Sequence, residues 1–564
     1  MVEEPLRLQA CSVGSIPVIN HFIGRLGIDD ILAHALAPAG NPRIEPARSI
    51  GVLLRNIVQG RRPVYGIGDW ARLYHPEVIG LSPKQAEYLN DDRIGRALDV
   101  LFDADRASMM TEIVVRAIRE FKLDLSQIHN DSTTIPFHGA YENADGSPQR
   151  GRKTVRITFG HSSNHRPDLK QLLWSLTVTS DGAVPIHYRV YDGNTNDSPT
   201  HRETWDVIRL LAGRPDFIYV ADCKLCVSDT LAYIDGNGGY FITVVPRTHR
   251  EDDWFRSYVQ TNKVKWTEVA RKKDRNDPFA ETDVWKMAEA PAPSSDGYRV
   301  VWVWNNNMAE QDKDARQGIM AKAIMAIEKL ETRLRNPRSR LRSRDAVVKA
   351  ADKAIGESAS RWVTYKIIEK EEESFKQENR GRPGKGTRYV RSAKKRFNVE
   401  GLPREENISY DAHTDGMFPL ITNCHDLSLK SILAKYKFQP RLEERHRQLK
   451  NVYKVTPALL KKVTRIEGLL FVYFLGMLIQ ALIEREVRNG MKATGVDCLP
   501  IYYEERNCEA PTADRLLEAF DRLEVNRLWR GDEMVKRFKI ELNDTERLLL
   551  KLTGVPTEAY TRLD

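Results

Sequence analysis

Three acidic residues occupy positions from which a chain can offer hard oxygen ligands. Asp131 follows the apolar run SQIHN and precedes three hydroxyl residues, Asp222 ends the apolar stretch FIYVAD, and Glu443 lies far downstream in FQPRLEERHRQLK. Carboxylate oxygens are ligands that Mg²⁺ prefers, whereas a single Asp at the end of a strand is more often a turn former. Whether the three side chains converge therefore decides between a metal site and three ordinary surface acids.

The segment around Glu443 predicts a helix with an acid and a cation on one face. Proline suits the first turn of a helix and disfavours helical geometry in the residue before it, so the helix is predicted to begin at Pro440. At about 100° per residue, Glu443 and Lys450 lie within about 20° of one face, while Glu444 lies about 100° further round. Glu443 is thus preferred to Glu444 as the third acid.

The first two acids require a sheet to position them. Strand patterns cover residues 126–131, 172–179 and 184–190, the last two joined by a tight turn at 180–182, and then strands at 217–222 and 240–247 alternate with helical patterns. A hairpin followed by alternating helix and strand predicts an α/β fold with a mixed sheet flanked by helices. If the first strand pairs in parallel with the strand at 217–222, Asp131 and Asp222 meet at one edge. Three other acids lie in turn-rich stretches and are interpreted as turn formers: Asp192, Asp197 and Asp415.

The residues around Glu443 carry a family resemblance. Tyr436, Gln439, Glu443 and Lys450 follow the spacing Tyr, two residues, Gln, three residues, Glu, six residues, Lys. This spacing resembles the final motif of the DDE transposases of bacterial insertion sequences, a cut-and-paste superfamily with an RNase H-like core, although Gln439 replaces the usual Arg. NDST at 130–133 and VADCKL at 220–225 resemble the two Asp motifs, and the match covers roughly residues 125–247 and 410–485.

The resemblance implies a DNA transposase that binds transposon ends and catalyses strand cleavage and strand transfer. Asp131, Asp222 and Glu443 would be the catalytic residues and would hold two Mg²⁺ ions, with Mn²⁺ able to substitute. Tyr436, Gln439 and Lys450 would contact DNA. The partners would be double-stranded DNA, both ends and target, and further copies of the chain, in a homodimer or larger homo-oligomer on paired ends. Two alternatives stay open: an RNase H-like nuclease that cuts without joining, and a non-catalytic DNA-binding protein.

Patterning along the chain predicts five regions. They are a helical, DNA-end-binding region at 1–121, the first part of the RNase H-like core at 122–247, a large insertion domain at 248–409, the second part of the core at 410–485, and a C-terminal helical region at 486–564. In the first region, Asn90 and Asp91 can cap a helix that begins near Arg93. The short helices there fit either a helix-turn-helix DNA reader or a plain helical support.

The predicted insertion contains a helical hairpin and two basic runs. Six arginines surround Pro337, which interrupts the helical pattern: Arg333, Arg335, Arg338, Arg340, Arg342 and Arg344. A second run, at 378–397, is rich in Gly and is predicted to be mobile. Such runs are either solvated faces or phosphate contacts, and their clustering favours phosphate. Trp302 and Trp304 are candidates for receiving a flipped base, with core packing as the alternative for each.

Composition indicates a soluble protein with a mild preference for polyanions. Lys and Arg number 87 against 78 Asp and Glu, which leaves a net charge of +9. Six cysteines are too few for a disulfide framework, and the first residues lack a signal segment, so we expect a cytoplasmic, nucleoid-associated bacterial protein. Cys223 and Cys226 form one CxxC, and no second CxxC or HxxxH lies nearby to complete a zinc site. Two half-buried thiols are therefore the preferred interpretation. The apolar stretch 468–483 is shorter than a membrane span and is predicted to be a core helix.

Overall fold

The chain forms two compact units in the computed structural model. The structure describes residues 5–38, 40–162, 166–273, 282–336, 338–452, 460–502 and 507–563. Unit 1 comprises Met1–Thr243 and Ala434–Asp564, and unit 2 comprises Val244–Leu433. Unit 2 therefore begins close to the start of the predicted insertion at 248–409. It ends well beyond the predicted carboxyl end of that insertion.

The amino-terminal part of unit 1 is helical, with one strand. Its elements are β1 (Leu6–Ser12), α1 (Ile16–Leu26), α2 (Ile28–Ala35), α3 (Pro46–Val58), α4 (Ile67–Leu73), α5 (Pro83–Glu87), α6 (Asp91–Asp103) and α7 (Arg106–Phe121). The predicted cap is confirmed, because the Asn90 side chain accepts a hydrogen bond of 3.0 Å from the Arg93 amide at the start of α6. The prediction of a wholly helical region is corrected by β1, whose pairing partner lies in the carboxyl-terminal segment.

A mixed sheet forms the centre of unit 1. Its strands and helices are β2 (Gln127–Phe137), β3 (Lys170–Thr179), β4 (Pro185–Asp192), α8 (Thr200–Ala212), β5 (Ile218–Val220), α9 (Ser228–Gly236) and β6 (Tyr240–Val244). The strands lie in the order β4-β3-β2-β5-β6, in which β2, β3 and β4 are antiparallel neighbours and β2, β5 and β6 are parallel neighbours. This is the predicted RNase H-like arrangement of a mixed sheet with flanking helices.

Unit 2 combines an antiparallel sheet, a helical hairpin and a long β-ribbon. Its elements are α10 (Arg250–Thr261), β7 (Thr267–Lys272), β8 (Asp283–Glu289), β9 (Arg299–Asn305), α11 (Asn306–Arg335), α12 (Arg344–Ala359), β10 (Val363–Gln377), β11 (Tyr389–Pro403), α13 (Glu405–Ala412) and β12 (Met417–Thr422). Strands β12, β9, β8 and β7 form the sheet, and β10 pairs with β11. The helical hairpin is confirmed. The run at 378–397, predicted to be mobile, is corrected in part, since its second half belongs to β11.

The chain returns to unit 1 through α14 (Leu429–Tyr436). The remaining elements are α15 (Gln439–Arg447), a π-helical turn at Gln448–Val452, α16 (Val463–Thr494), α17 (Ala513–Glu518), β13 (Glu524–Arg530), β14 (Glu533–Phe538), α18 (Asp544–Thr553) and α19 (Glu558–Thr561). The prediction of a purely helical carboxyl-terminal region is thus corrected, because β13 pairs with both β1 and β14 in a three-stranded sheet. These strands are short and rich in charge, which hides their period-2 pattern.

Helix α16 is the central core helix of unit 1. Among the described residues it is the one helix with the length and hydropathy to cross a membrane, but 94% of its most apolar window is buried inside the protein. It packs against α3, α6, α18 and β4. Gln480, fully buried within it, donates a hydrogen bond of 3.0 Å to the Val58 carbonyl of α3, so even its polar side chain is used in packing. The predicted core helix at 468–483 is confirmed.

Candidate functional site

Asp131 and Asp222 are brought together by parallel pairing of β2 and β5. The register pairs Ile128 with Tyr219 and His129 with Val220. Continued by two residues, the same register sets Asp131 opposite Asp222. The predicted parallel pairing is therefore confirmed, with one difference: β2 does not end at Asp131 but continues to Phe137 as the antiparallel partner of β3. Asp131 thus lies in mid-strand, at the point where β5 ends.

The backbone at Asp131 is held by its buried neighbour Asn130. The Asn130 amide nitrogen lies 3.0 Å from Ser175 Oγ, 2.9 Å from Thr177 Oγ1 and 3.2 Å from the Leu176 carbonyl oxygen. These bonds tie β2 to β3 at the residue before the acid. Burial, followed by the carboxylates of Asp222 and Glu443, raises the pKa of Asp131 to about 8. Nearby negative charge disfavours the ionised form, so the carboxylates of Asp222 and Glu443 add to the effect of burial.

Asp222 is fixed at the start of a short 3-10 turn, Cys223–Leu225. Its carboxylate accepts a hydrogen bond of 3.0 Å from the Lys224 amide, and its carbonyl accepts one of 2.6 Å from the Thr243 hydroxyl on β6. Burial raises the pKa of Asp222, and the carboxylate of Asp197 raises it further.

Helix α15 carries Glu443 on its exposed side because the opposite side is buried. Leu442 is fully buried, and the guanidinium of Arg445 donates to the carbonyls of Ala183 (3.0 Å) and Gly182 (3.2 Å) in the turn between β3 and β4. Arg445 also forms a buried ion pair with Glu484 of α16, at 2.8 Å. These contacts fix the rotation of the helix. The helix begins at Gln439, one residue before the predicted start.

Gln439 lies in the interior of unit 1, with 8% of its surface exposed. Its side-chain oxygen is 3.1 Å from His129 Nδ1, and its amide donates to the Asn130 carbonyl at 3.4 Å. The residue thereby joins α15 to the strand that carries Asp131. This placement differs from the DNA contact implied by the resemblance, because a buried side chain with both polar ends bonded does not meet a phosphate.

Lys450 lies beyond the end of regular α-helix. The chain changes to a π-helical turn at Gln448, so the predicted phase between Glu443 and Lys450, which assumes 3.6 residues per turn throughout, is corrected. Lys450 is nevertheless close to the first acid: burial lowers the pKa of its ammonium, and the carboxylate of Asp131 opposes that change. The π turn therefore keeps a cation beside the acids.

Two aromatic side chains complete the surroundings of the acids. Burial, followed by the carboxylates of Asp222 and Glu443, raises the pKa of Tyr436 to about 12, so its hydroxyl stays protonated at neutral pH. His446 Nε2 lies 3.5 Å from Asp131 Oδ2. Burial lowers the pKa of His446 to about 3, so the ring is neutral at neutral pH and adds no positive charge beside Asp131. His446 is absent from the sequence prediction.

Asp197 is a fourth acid beside the site. The hydroxyl of Ser132, the residue after Asp131, donates to its carboxylate, and Asp197 contributes to the raised pKa of both Asp131 and Asp222. Its interpretation as a turn former is incomplete, although its carbonyl does accept from the Thr200 amide at the start of α8. A signal was available: β4 is parallel to β2 in the predicted sheet, so the loop after β4 returns to the edge where Asp131 lies.

The donor chemistry of this cluster fits a divalent cation. The pKa values of Asp131 and Asp222 are raised by burial and by neighbouring carboxylates, and a bound divalent cation would favour the ionised form of both groups. In the conformation described, however, no three His, Cys, Asp or Glu side chains of the described residues are close enough to hold one ion. Cys223 and Cys226 are not joined in a disulfide. Side chains of Asp131, Asp222 and Glu443 would have to turn toward one another on an ion.

The remaining predicted DNA contacts lie in unit 2. Trp302 is 1% exposed and packs against Trp254, Phe255 and Tyr258, so it has the core role that was its alternative interpretation. Trp304 is half-buried, with Lys286 Nζ 4.7 Å from its ring centroid. The six arginines are all exposed: Arg333 and Arg335 end α11, Arg344 begins α12, and Arg338, Arg340 and Arg342 lie in the loop between. Pro337, the predicted break, lies outside the described residues.

Comparison with known proteins gives limited likenesses. A family described as a domain of unknown function, DUF4277, matches residues 8–115, within the amino-terminal helical part. No curated protein sequence matches the chain. Among solved structures, the chain is similar to a cryo-EM structure of the piggyBac transposase synaptic complex with hairpin DNA, at 10% identity and a TM-score of 0.29. That likeness covers 48% of this chain and 57% of the other.

Proposed function

We propose that this protein is a DNA transposase that binds transposon ends, cuts DNA strands there and joins them to a target. The proposal is supported chiefly by the parallel register of β2 and β5, which if continued by two residues would bring Asp131 level with Asp222, and by the carboxylate of Glu443, which contributes to the raised pKa of Asp131. These are the three acids of the motif that resembles DDE transposases, in the same order along the chain.

The proposed site divides the work among side chains of unit 1. Asp131, Asp222 and Glu443 would hold two Mg²⁺ ions, which supply charge stabilisation for in-line displacement at phosphorus. The Tyr436 hydroxyl, protonated up to a pKa of about 12, can donate to a phosphate oxygen, and Lys450 adds a positive charge on the same side. Gln439 is assigned to positioning α15, and not to contact with DNA.

The proposed partners follow from the reaction. Cutting and joining two ends together requires a site for each end, so we expect at least a homodimer on paired ends, in the bacterial cytoplasm beside the nucleoid. Exposed arginines of unit 2 would bind phosphates of the ends or the target.

The test uses the full chain, Mg²⁺ and end-labelled DNA from the regions that flank its coding sequence. Asp131→Asn, Asp222→Asn and Glu443→Gln should each lower cleavage by at least about 100-fold while end binding stays nearly intact, because each removes a metal ligand and no phosphate contact. Glu444→Gln is the matched control, since Glu444 is exposed and paired with Arg447.

The products distinguish the alternatives. Cut strands that become joined to a second duplex support the transposase, and cut strands that never join indicate an RNase H-like nuclease. Binding without any cutting, in wild type and variants alike, would leave only a DNA-binding protein.

A further inference from the structure

The β-ribbon of unit 2 ends in a strongly basic tip. Strands β10 and β11 are each 15 residues long and pair from Val363 with Pro403 to Gln377 with Tyr389. At about 3.4 Å per residue, the ribbon is about 50 Å long. The loop that joins the strands, 378–388, holds four cations, Arg380, Arg382, Lys385 and Arg388, and one acid, Glu378.

Only the base of the ribbon is supported by a core. Val363, Phe397 and Val399 belong to the hydrophobic cluster formed with α11 and α12, and Tyr365 and Ile367 pack against that cluster. The last eight register pairs, from Lys370 with Arg396 outward, contribute nothing to it. Within unit 2, the distal half of the ribbon therefore extends from its support by about 25 Å.

Three acids on the ribbon's sides form ion pairs across the strands, whereas the cations at its tip are not paired. Glu369, Glu372 and Glu373 of β10 form cross-strand ion pairs with Lys395, Arg396 and Arg391 of β11. The four tip cations have no carboxylate within ion-pair distance among the residues that the structure describes, and all four are exposed. The tip thus presents a cluster of uncompensated positive charge.

Two backbone hydrogen bonds close the tip. The Glu378 amide donates to the Arg388 carbonyl at 3.0 Å, and the Thr387 amide donates to the Gly384 carbonyl at 3.0 Å, which closes a turn over 384–387. Opposite that turn runs Arg380-Gly381-Arg382-Pro383. Gly381 adopts a φ of +154°, which side chains rarely tolerate, and Pro383 fixes its own backbone angle without an N–H. Arg380 and Arg382 are therefore separated by a residue that has no side chain.

We propose that this tip binds the minor groove of A·T-rich duplex DNA. The minor groove is about 6 Å wide and is narrower and more negative in A·T tracts, where it attracts arginine. A glycine between two arginines lets the backbone approach the groove floor. Arginine only donates hydrogen bonds, so it matches the adenine N3 and thymine O2 acceptors and is opposed by the guanine N2 amino group.

Insertion of the whole ribbon into the wider major groove fits less well. Strand β10 carries Glu371, Glu372 and Glu373 in its distal half, and a ribbon lying in that groove would bring these carboxylates toward phosphates on both walls. The acids stop short of the tip, apart from Glu378. The charge distribution thus favours contact by the tip alone.

The inference rests on the proposed function, because it names how the same protein would choose DNA. It is tested with the full chain and three arbitrary duplexes of equal length, composed of A·T, G·C or inosine·C pairs. Inosine lacks the N2 amino group, so an inosine·C pair has the minor-groove pattern of A·T and the major-groove pattern of G·C. We expect about tenfold tighter binding of the A·T and inosine·C duplexes than of G·C.

Three variants locate the effect. Arg380→Ala with Arg382→Ala should abolish the preference, and Gly381→Ala should reduce it without a change in charge. Lys349→Ala with Lys353→Ala, on the exposed side of α12, removes the same charge and should keep the preference.

The inference is overturned by equal binding of all three duplexes, by preference for A·T but not inosine·C, or by a preference that survives in the tip variant. Absence of all duplex binding would instead overturn the proposed function.

Discussion

At the scale of single residues, the cluster in unit 1 contains one more carboxylate than the motif requires. Asp197 accepts a hydrogen bond from Ser132 and raises the pKa of Asp131 and Asp222, although it belongs to a loop that also shapes the start of α8. Two roles are separable: its charge can act on the neighbouring acids, and its hydrogen bond can hold the backbone after Asp131.

We expect Asp197→Asn to lower cleavage by roughly tenfold to 100-fold, the usual effect of residues that support metal ligands. Its measured signature should be a higher Mg²⁺ concentration for half-maximal cleavage, with end binding unchanged. Ser132→Ala is the matched control, because it removes the hydrogen bond and leaves the charge of Asp197. Equal losses in both variants would assign the effect to the hydrogen bond, and full activity in Asp197→Asn would show that this acid has no role in the site.

At the scale of elements, the placement of α15 depends on few contacts. Arg445 ties the helix to the turn between β3 and β4 and to α16, while Gln439 ties its first turn to β2. The latter contact links the element that carries Glu443 to the strand that carries Asp131. Loss of this link should therefore disturb the spacing of two acids without touching either one.

Gln439→Met keeps the length of the side chain and removes both polar atoms. We expect the free energy of unfolding to fall by about 1–3 kcal/mol, because His129 and the Asn130 carbonyl lose a buried partner. Cleavage should fall more than end binding. Weaker end binding at unchanged stability would mean that Gln439 contacts DNA, as its position in the motif implies. Chemical denaturation and an end-binding titration on the same variant decide between the two outcomes.

The loop between α11 and α12 carries a second prediction at this scale. Arg338, Arg340 and Arg342 are exposed and lie off either helix. If each contacts a phosphate, replacing all three with Ala should lower the slope of log affinity against log salt by about 0.9 per contact on duplex DNA, whatever its sequence. The pair Lys349→Ala with Lys353→Ala should leave the slope nearly unchanged. An unaltered slope in the arginine variant would identify a solvated loop.

Elements with strong local patterns were predictable from sequence, and so was the meeting of two acids. β2 and β5 each have their own apolar run. Because the hairpin of β3 and β4 pairs with one edge of β2, the other edge of β2 is available for parallel pairing with β5. The start of α15 was predicted within one residue, because proline is favoured in the first turn of a helix, although Gln439 before it is helical despite the usual restriction.

What escaped prediction depends on distant partners or on local departures from regular geometry. Pairing of β1 with β13 joins opposite parts of the chain, and neither strand shows a strong pattern alone. The π turn at Gln448–Val452 leaves no mark on helical periodicity. In the sequence, Asp197 cannot be told from an ordinary turn former, and Gln439 cannot be told from a surface residue. Their contacts become visible only once the sheet and α15 are placed.

At the scale of the whole molecule, buried histidines make stability depend on pH. Burial lowers the pKa of both His187 and His201 to about 4, against about 6.5 when unfolded. The unfolded chain therefore binds more protons between these values. Stability from each neutral ring is fully present above about pH 6.5 and is lost as pH falls toward 4.

His201→Gln tests this dependence at one site, where Nδ1 lies 3.1 Å from the Tyr219 hydroxyl. Between about pH 7 and about pH 5, wild type should lose about 2 kcal/mol more stability than the variant. His34→Gln, at an exposed histidine of α2, is the control and should follow wild type. Parallel curves for wild type and His201→Gln in denaturation series across that range would contradict the assignment of a neutral buried ring.

The pairing of β1 with β13 also has a consequence for protein synthesis. A ribosome adding 5–20 residues per second needs roughly 25–100 s to make the roughly 500 residues that separate these strands. During that time β1 lacks the strand that pairs with it, and α15 and α16 are made only in the last part of the interval, long after the strands of the mixed sheet. If Glu443 is the third acid of a cutting site, the nascent chain therefore carries Asp131 and Asp222 for many seconds before that site can be complete.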